Sequence, residues 1–338
     1  MLSKDGIQQL FDDFNKLKIM IIGDVMIDSY IFGKVDRISP EAPVPIVAVE
    51  KRVNRLGGAA NVALNVRSMG ANPILCSVVG NDQKASDFLQ LLEQNEMAVS
   101  GIFKSEDRIT TTKYRIIGNK TQMLRVDEEQ LNDLDEKDQD GLENLISSII
   151  LNNHIDAIIF QDYNKGVLTP KLIAFATQLA INNNIPVVVD PKKKNFLAYK
   201  NVTLFKPNLK ELKEGLNVDG ALKTIDQISD AMQLLNQKLD CKYIMVTLSE
   251  KGVLIKHFQE GNNPNKIHFP AHIRNIADVS GAGDTVISVA TLCLALNQPI
   301  EVIAGISNLA GGIVCEEVGV IPIDKSRLIE ESLKLSVM

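Results

Sequence analysis

The chain has 338 residues, 45% of them hydrophobic and 23% charged, with 36 Lys and Arg against 42 Asp and Glu for a formal charge of −6. This composition excludes disordered, collagenous and low-complexity classes, and the length is enough to bury a large core. The acidic balance argues against nucleic acid as the main partner, because binding a phosphate backbone needs a basic surface, but it leaves room for a local basic pocket.

In chain order, 18–25 (KIMIIGDV) is a continuous apolar run that predicts a strand buried on both faces and ending at Gly23-Asp24. A glycine-opened helix is expected over 57–69 and the next strand over 73–79. Further strands are expected at 157–160, 186–189, 202–205 and 243–248, with helices at 137–151, 170–181, 225–239, 281–296 and 300–315. Such alternation predicts an α/β fold, a mostly parallel sheet covered by helices on both faces. Two segments break the pattern, 46–53 and 110–126, the second with Gly118-Asn119 as a hairpin turn signal. They are expected to form a small antiparallel flap. No Pro/Ser-rich linker and no repeat divides the chain, so a single domain over 1–338 is expected, with lid segments at approximately 30–55 and 105–127 inserted in it. Cys76, Cys241, Cys293 and Cys315 lie far apart without metal-ligand spacing, as in a reduced cytoplasmic protein. The first 18 residues lack a long apolar run, so no secretory signal is expected, and no stretch approaches the ~18 apolar residues of a membrane span.

The sharpest segment is DVSGAGDT (278–285), followed by an apolar helical run. Gly281, Ala282 and Gly283 at a helix start leave backbone N–H groups facing outward, an anion site strengthened by the helix dipole. Asp284 lies just inside that site. An acid there is either dipole compensation or a base that takes the proton of a hydroxyl attacking a bound phosphoryl group. Asp24 and Asp28 follow the first strand, where α/β sheets place ligands, and can accept sugar hydroxyls; Asn61 can donate and accept. Asn208 with Glu211 three residues on is a capping box on residue types alone. Arg37, Lys113, Arg115, Arg125, Lys165 and Lys192 are the cations available to an acceptor that already carries phosphate. Taken one by one they also fit a solvated surface.

DVSGAGDT resembles the signature of the PfkB/ribokinase family of carbohydrate kinases, and further family segments follow in order across nearly the whole chain. Gly57-Gly58-Ala59-Ala60-Asn61 is similar to the family's sugar-contacting glycine signature. Asp190-Pro191-Lys192, 207–211 (PNLKE) and 246–252 (VTLSEKG) are similar to later blocks. Within the family, the likeness is greatest to kinases of D-glycero-β-D-manno-heptose 7-phosphate. It rests on 23–28 (GDVMID), 37–45 (RISPEAPVP), 162–166 (DYNKG) and 278–286. The resemblance implies a ribokinase-like three-layer α/β/α sandwich with a β lid. It implies transfer of the ATP γ-phosphoryl group to the sugar's anomeric hydroxyl, a step toward ADP-heptose.

In that reading Asp284 is the base, and Gly281, Ala282 and Gly283 form the anion hole. Asp24, Asp28, Gly57, Gly58 and Asn61 hold the sugar, with the cations above on its phosphate. Lys192, Asn208, Thr247, Ser249, Gly252 and Asn308 serve ATP. Asn208 and Glu211 hold Mg²⁺ through water. Asp278 is the side-chain ligand of a monovalent cation such as K⁺, although Ser280 stands where Thr is usual. A homodimer through the flap's apolar residues Ile46, Val47, Val49 and Ile116 is also implied. A kinase for another sugar, sugar phosphate or nucleoside is the alternative; a non-catalytic sensor on the same scaffold is the other. No P-loop, protein-kinase or dinucleotide motif occurs, and the four histidines show no metal or triad spacing. The HxGH motif of a fused nucleotidyltransferase is missing, so only the kinase step is expected.

Overall fold

In the computed structural model, residues 2–218, 220, 222–258, 265–272 and 274–335 are described. Helix α1 (Lys4–Phe14) buries Ile7, Leu10, Phe11 and Phe14 and leads into β1 (Lys18–Gly23). A long hairpin follows, β2 (Val25–Ile38) and β3 (Pro45–Gly58), then α2 (Ala59–Ser68), β4 (Asn72–Gly80), α3 (Gln83–Gln94) and β5 (Ile102–Ser105). A second hairpin, β6 (Thr112–Gly118) and β7 (Thr121–Glu128), precedes α4 (Glu136–Asn152). Alternation then resumes with β8 (Ala157–Gln161), α5 (Pro170–Asn182), β9 (Val187–Asp190), β10 (Leu204–Phe205), α6 (Leu209–Leu216), α7 (Ile225–Leu239) and β11 (Tyr243–Thr247). The chain closes with β12 (Val253–His257), β13 (Asn265–Phe269), α8 (Ala282–Ala295), α9 (Ile300–Val314) and α10 (Lys325–Leu335).

Among the described residues, nine strands form one sheet in the order β13-β12-β11-β10-β9-β8-β1-β4-β5. It is parallel except at β11–β12–β13, and one apolar core lies on each of its faces. Buried on both sides, strands such as β1 and β8 have no polar face to alternate with, which is why they read as unbroken apolar runs. Helix α8 packs against α2 and α9 and touches the central strands β8 and β9; it is buried nearly all round except at its N-terminus. Among the described residues, no helix is long and apolar enough to cross a membrane.

The flap is a separate sheet in the order β3-β2-β6-β7, with antiparallel outer pairings and a parallel β2–β6 pairing at its centre. The lid segment expected from about residue 30 begins earlier, because Val25–Ile38 form one long strand, β2. The polar side chains that line one face of β2, and two bulges against β3, hide the strand pattern. The expected helix start at 57 moves to Ala59, because Gly57 and Gly58 end β3 instead. The expected strand at 202–205 shrinks to the two residues of β10.

Candidate active site

The C-terminal ends of the parallel strands set charged or polar residues around one cleft. Gln161 ends β8, Asp190 ends β9, Lys206 follows β10 and Thr247 ends β11. This is where open α/β sheets bind ligands, since strand ends and helix starts both leave main-chain groups unpaired there. The cleft has a volume of about 780 Å³. Lys192, Asn208, Glu211, Thr247, Ser249, Gly252 and Asn308 all line it, as do Gly281, Ala282, Gly283 and Asp284. The fold thus brings the residues expected for nucleotide and for catalysis to one place.

Gly281 is the N-cap of α8 with φ of 83°, a conformation that favours glycine. The first backbone bond of the helix runs from Thr285 N to Gly281 O at 3.0 Å, so the amides of Gly283 and Asp284 precede it and have no helical acceptor. The Ala282 amide instead donates to Val279 O at 3.3 Å. Of the three amides expected to form the hole, that of Ala282 is bonded within the turn, while Gly283, with Asp284 beside it, has no helical acceptor.

Asp284 is 6% exposed yet faces the cleft. Its Oδ2 accepts from Asn61 Nδ2 at 2.7 Å, and its Oδ1 accepts from the Tyr163 hydroxyl at 2.8 Å and Gln161 Nε2 at 3.2 Å. Burial pushes its carboxyl up to about 6; the Asn61 and Tyr163 hydrogen bonds oppose this, Asp190 adds to it, and Lys206 offsets part. A carboxylate with that value is ionised at neutral pH yet still basic enough to accept a proton. The side-chain oxygens Asn61 Oδ1 and Gln161 Oε1 are buried and without a hydrogen-bond partner beside it.

Asp28 pairs with Arg115 at the start of the flap. A Cβ on Gly57 would come within 2.9 Å of Asp28 Oδ2, so the bare glycine keeps this carboxylate in place. Gly58 has φ of 62° and lies against the Asp24 carbonyl. Asp24 itself corrects the sequence reading. Its two oxygens accept from the amides of Tyr163, Lys165 and Val167 at 2.8, 3.1 and 3.0 Å, and it is 1% exposed. It is a clamp for the loop that carries Tyr163, with no oxygen presented to a sugar.

The cations expected on the sugar phosphate are largely neutralised within the protein. Lys113 pairs with Asp127 at 2.8 Å and Glu129 at 3.0 Å, Lys165 with Glu129 at 2.7 Å, and Arg125 with Asp127 at 3.0 Å. Lys113 and Arg115 do share a face of β6, opposite Asp127 and Arg125 on β7. Arg37 lies near the outer end of β2, opposite Ile46 and exposed, and is not brought to the site.

Asn208 and Glu211 form the capping box of α6, and Glu211 also pairs with Lys192. Burial works against the Lys192 ammonium, but Asp190 and Glu211 outweigh it and hold its pKa above the usual range. Asp190 in turn pairs with Lys206 at 3.0 Å. Among the described residues, no group of three or more His, Cys, Asp and Glu is arranged to hold a metal unaided. Asp190 and Glu211 are hard oxygen donors on the cleft wall, already paired with lysines, which fits a divalent cation held through water and ligand phosphates. Asp278 accepts from Ser280 N at 2.9 Å, Ser280 Oγ at 2.8 Å and Gly319 N at 3.0 Å. Burial raises its carboxyl less than these bonds lower it, so it stays below the usual range.

Sequence reasoning missed Gln161, Asp190, Lys206 and Tyr163, all of which line the cleft. A charge ending an apolar strand, as in VVVD at 187–190, was the available signal for Asp190.

The sequence profile described as pfkB family carbohydrate kinase matches residues 16–326. A protein named "Bifunctional protein HldE" from Aliarcobacter butzleri is 38% identical over 305 residues, covering 90% of this chain and 62% of that protein. One of the same name from Methylobacillus flagellatus is 37% identical, covering 93% of this chain and 62% of the relative. The chain thus spans less than two thirds of the length of these relatives. The crystal structure of phosphofructokinase-2 from Escherichia coli with potassium superposes with a TM-score of 0.77 at 18% identity, over 95% of this chain and 99% of that one. Arabidopsis thaliana ribokinase with ribose and ATP superposes with a TM-score of 0.70 at 14% identity, over 93% and 98%. These establish the ribokinase-like fold.

Proposed function

Because this chain belongs to the pfkB family of carbohydrate kinases, a phosphotransferase family that uses ATP and a divalent cation, we propose that it phosphorylates the anomeric hydroxyl of D-glycero-β-D-manno-heptose 7-phosphate to give the 1,7-bisphosphate. The observation that carries the reading is the Asp284 carboxylate at the head of α8, fixed by three donors on the wall of the nucleotide-sized cleft. The choice of heptose phosphate rests on the sequence likeness of 23–28, 37–45 and 162–166.

Asp284 takes the proton of the attacking hydroxyl as the new O–P bond forms and the bond to the β-phosphate oxygen breaks. Asn61, Tyr163 and Gln161 hold both its oxygens, so the proton is taken without rearrangement of the base. The amides of Gly283 and Asp284, with Gly281 keeping the backbone open, stabilise charge on the transferring group. Lys192 and Lys206 place positive charge along the ATP phosphates. Asp190, Asn208 and Glu211 would hold a Mg²⁺ ion through water, and the ion would supply charge neutralisation of those phosphates. Asp278 and Ser280 are where a K⁺ ion would sit. The flap closes over the acceptor to exclude water. Its exposed apolar side chains, among them Val49, Leu124 and Val126, suit a homodimer formed through the flap.

The test is an ATP-dependent phosphorylation assay across D-glycero-β-D-manno-heptose 7-phosphate, fructose 6-phosphate, ribose and a nucleoside. The heptose phosphate should give the highest kcat/KM. A higher value for any other acceptor overturns the choice of substrate.

A further inference from the structure

The flap face that carries Asp28 also carries Tyr30 and Arg55, Lys113 and Arg115, and Asp127 and Arg125, because these are partners in strand register. An acceptor that already bears a phosphate brings an anion to this face, and the protein must offer a cation not already cancelled. Lys113, Arg125 and Lys165, the last from the neighbouring loop, are each ion-paired, sharing the two carboxylates Asp127 and Glu129 among three cations. Arg115 is committed to Asp28.

Arg55 differs. Among the described residues, no carboxylate lies within ion-pair distance of it. Its guanidinium lies 5.1 Å from the centre of the Tyr30 ring, and the Arg115 guanidinium lies 5.3 Å from the same ring. Its Nη1 donates a long bond to Val320 O at 3.4 Å. Asp278, whose charge is also felt at Tyr30, spends its oxygens on Ser280 and Gly319. Two guanidiniums thus share one aromatic ring, and Arg115 is ion-paired with Asp28 while Arg55 has no such partner among the described residues. Val320 also flanks Gly281, whose other neighbour is the Asn61 amide that holds Asp284. Arg55 is thus linked to the base through Val320, Gly281 and Asn61, and is not among the residues lining the cleft that Lys192 and Asn208 share.

We propose that Arg55, stacked on Tyr30 and backed by Arg115, binds the phosphate that the acceptor already carries and so selects phosphorylated sugars over free ones. The planar fork of a guanidinium matches two phosphate oxygens, and its stacking on a ring fixes it before the ligand arrives. This rests on the reading of the chain as a kinase of a sugar phosphate.

The test compares wild type, Arg55→Gln and Arg55→Lys on D-glycero-β-D-manno-heptose 7-phosphate, fructose 6-phosphate and the two corresponding free sugars, with thermal melting to establish folding. Wild type should prefer the phosphorylated acceptors. Arg55→Gln should lower that preference about 10- to 100-fold, through KM for the phosphorylated sugar, with KM for ATP unchanged. Arg55→Lys should fall between, because an ammonium keeps the charge and loses the fork. Should Arg55→Gln fail to fold, the preference measured in Arg55→Lys decides alone, and an unchanged preference there overturns the proposal. Equal losses on phosphorylated and free acceptors would make Arg55 a structural tie between flap and Val320, and would also overturn it. A wild type that takes fructose 6-phosphate better than the heptose refutes the proposed substrate while leaving the Arg55 assignment to be judged by its own ratio. A wild type indifferent to the acceptor's phosphate overturns both.

Discussion

Asp284 is held ionised at a cost to stability, and that cost is measurable. Its carboxyl lies at about 6 in the fold against an ordinary 3.8. The folded state therefore binds the proton more tightly than the unfolded state. The stabilisation from this group is fully present below about pH 4, and it is lost as pH rises through about 6. Two units correspond to about 3 kcal/mol by pH 7 to 8. The Asn61 and Tyr163 donors already lower its pKa; burial first, and then the Asp190 charge, leave it raised. Replacing it by Asn removes the charge but sets an amide N–H against one of those donors, so part of the gain is lost. The Asp284→Asn variant should become progressively more stable relative to wild type between pH 4.5 and 8, a change of about 1–3 kcal/mol. Urea unfolding of both proteins at several pH values measures it, and the difference between the two isolates Asp284 from the other buried acids. A stability difference that is flat with pH, or that moves the other way, would refute the claim that a buried, costly carboxylate occupies this position.

Two further outcomes follow from the same contacts. Tyr163→Phe removes the hydroxyl donor to Asp284 and should raise the pKa of the base, moving the acid limb of the kcat/KM profile to higher pH by up to about one unit; an unmoved limb would exclude Tyr163 as a positioning residue. Asp24→Asn sets a donor against three amides and should destabilise the fold by about 2–3 kcal/mol while lowering kcat more than it raises KM for ATP, as read by urea unfolding and steady-state kinetics.

The central sheet was legible because its strands are buried on both faces, which leaves no choice but apolar residues. The helix start at 281–285 on the cleft wall was legible because its pieces are contiguous: glycines, an acid and an apolar helix within one stretch state their own geometry. Asp24 was not, since the amides that claim it lie 139 to 143 residues downstream. The flap cations were not either. Whether Lys113 is free or paired depends on the register of β6 against β7 and on where Glu129 ends up, and residue types alone do not fix that. Arg55 carried no signal of its own. It stands out only when the partners of every neighbouring cation are known. Asn208 and Glu211 show the opposite limit, because one spacing serves both a helix cap and a wall of the nucleotide cleft.

The most direct test is the rate of γ-phosphoryl transfer to D-glycero-β-D-manno-heptose 7-phosphate by Asp284→Asn, measured at saturating ATP with ATP binding measured separately. Loss of the base should lower kcat by roughly 10²–10⁴ while ATP binds as before. A rate close to wild type would contradict the assignment of Asp284 as the group that takes the proton.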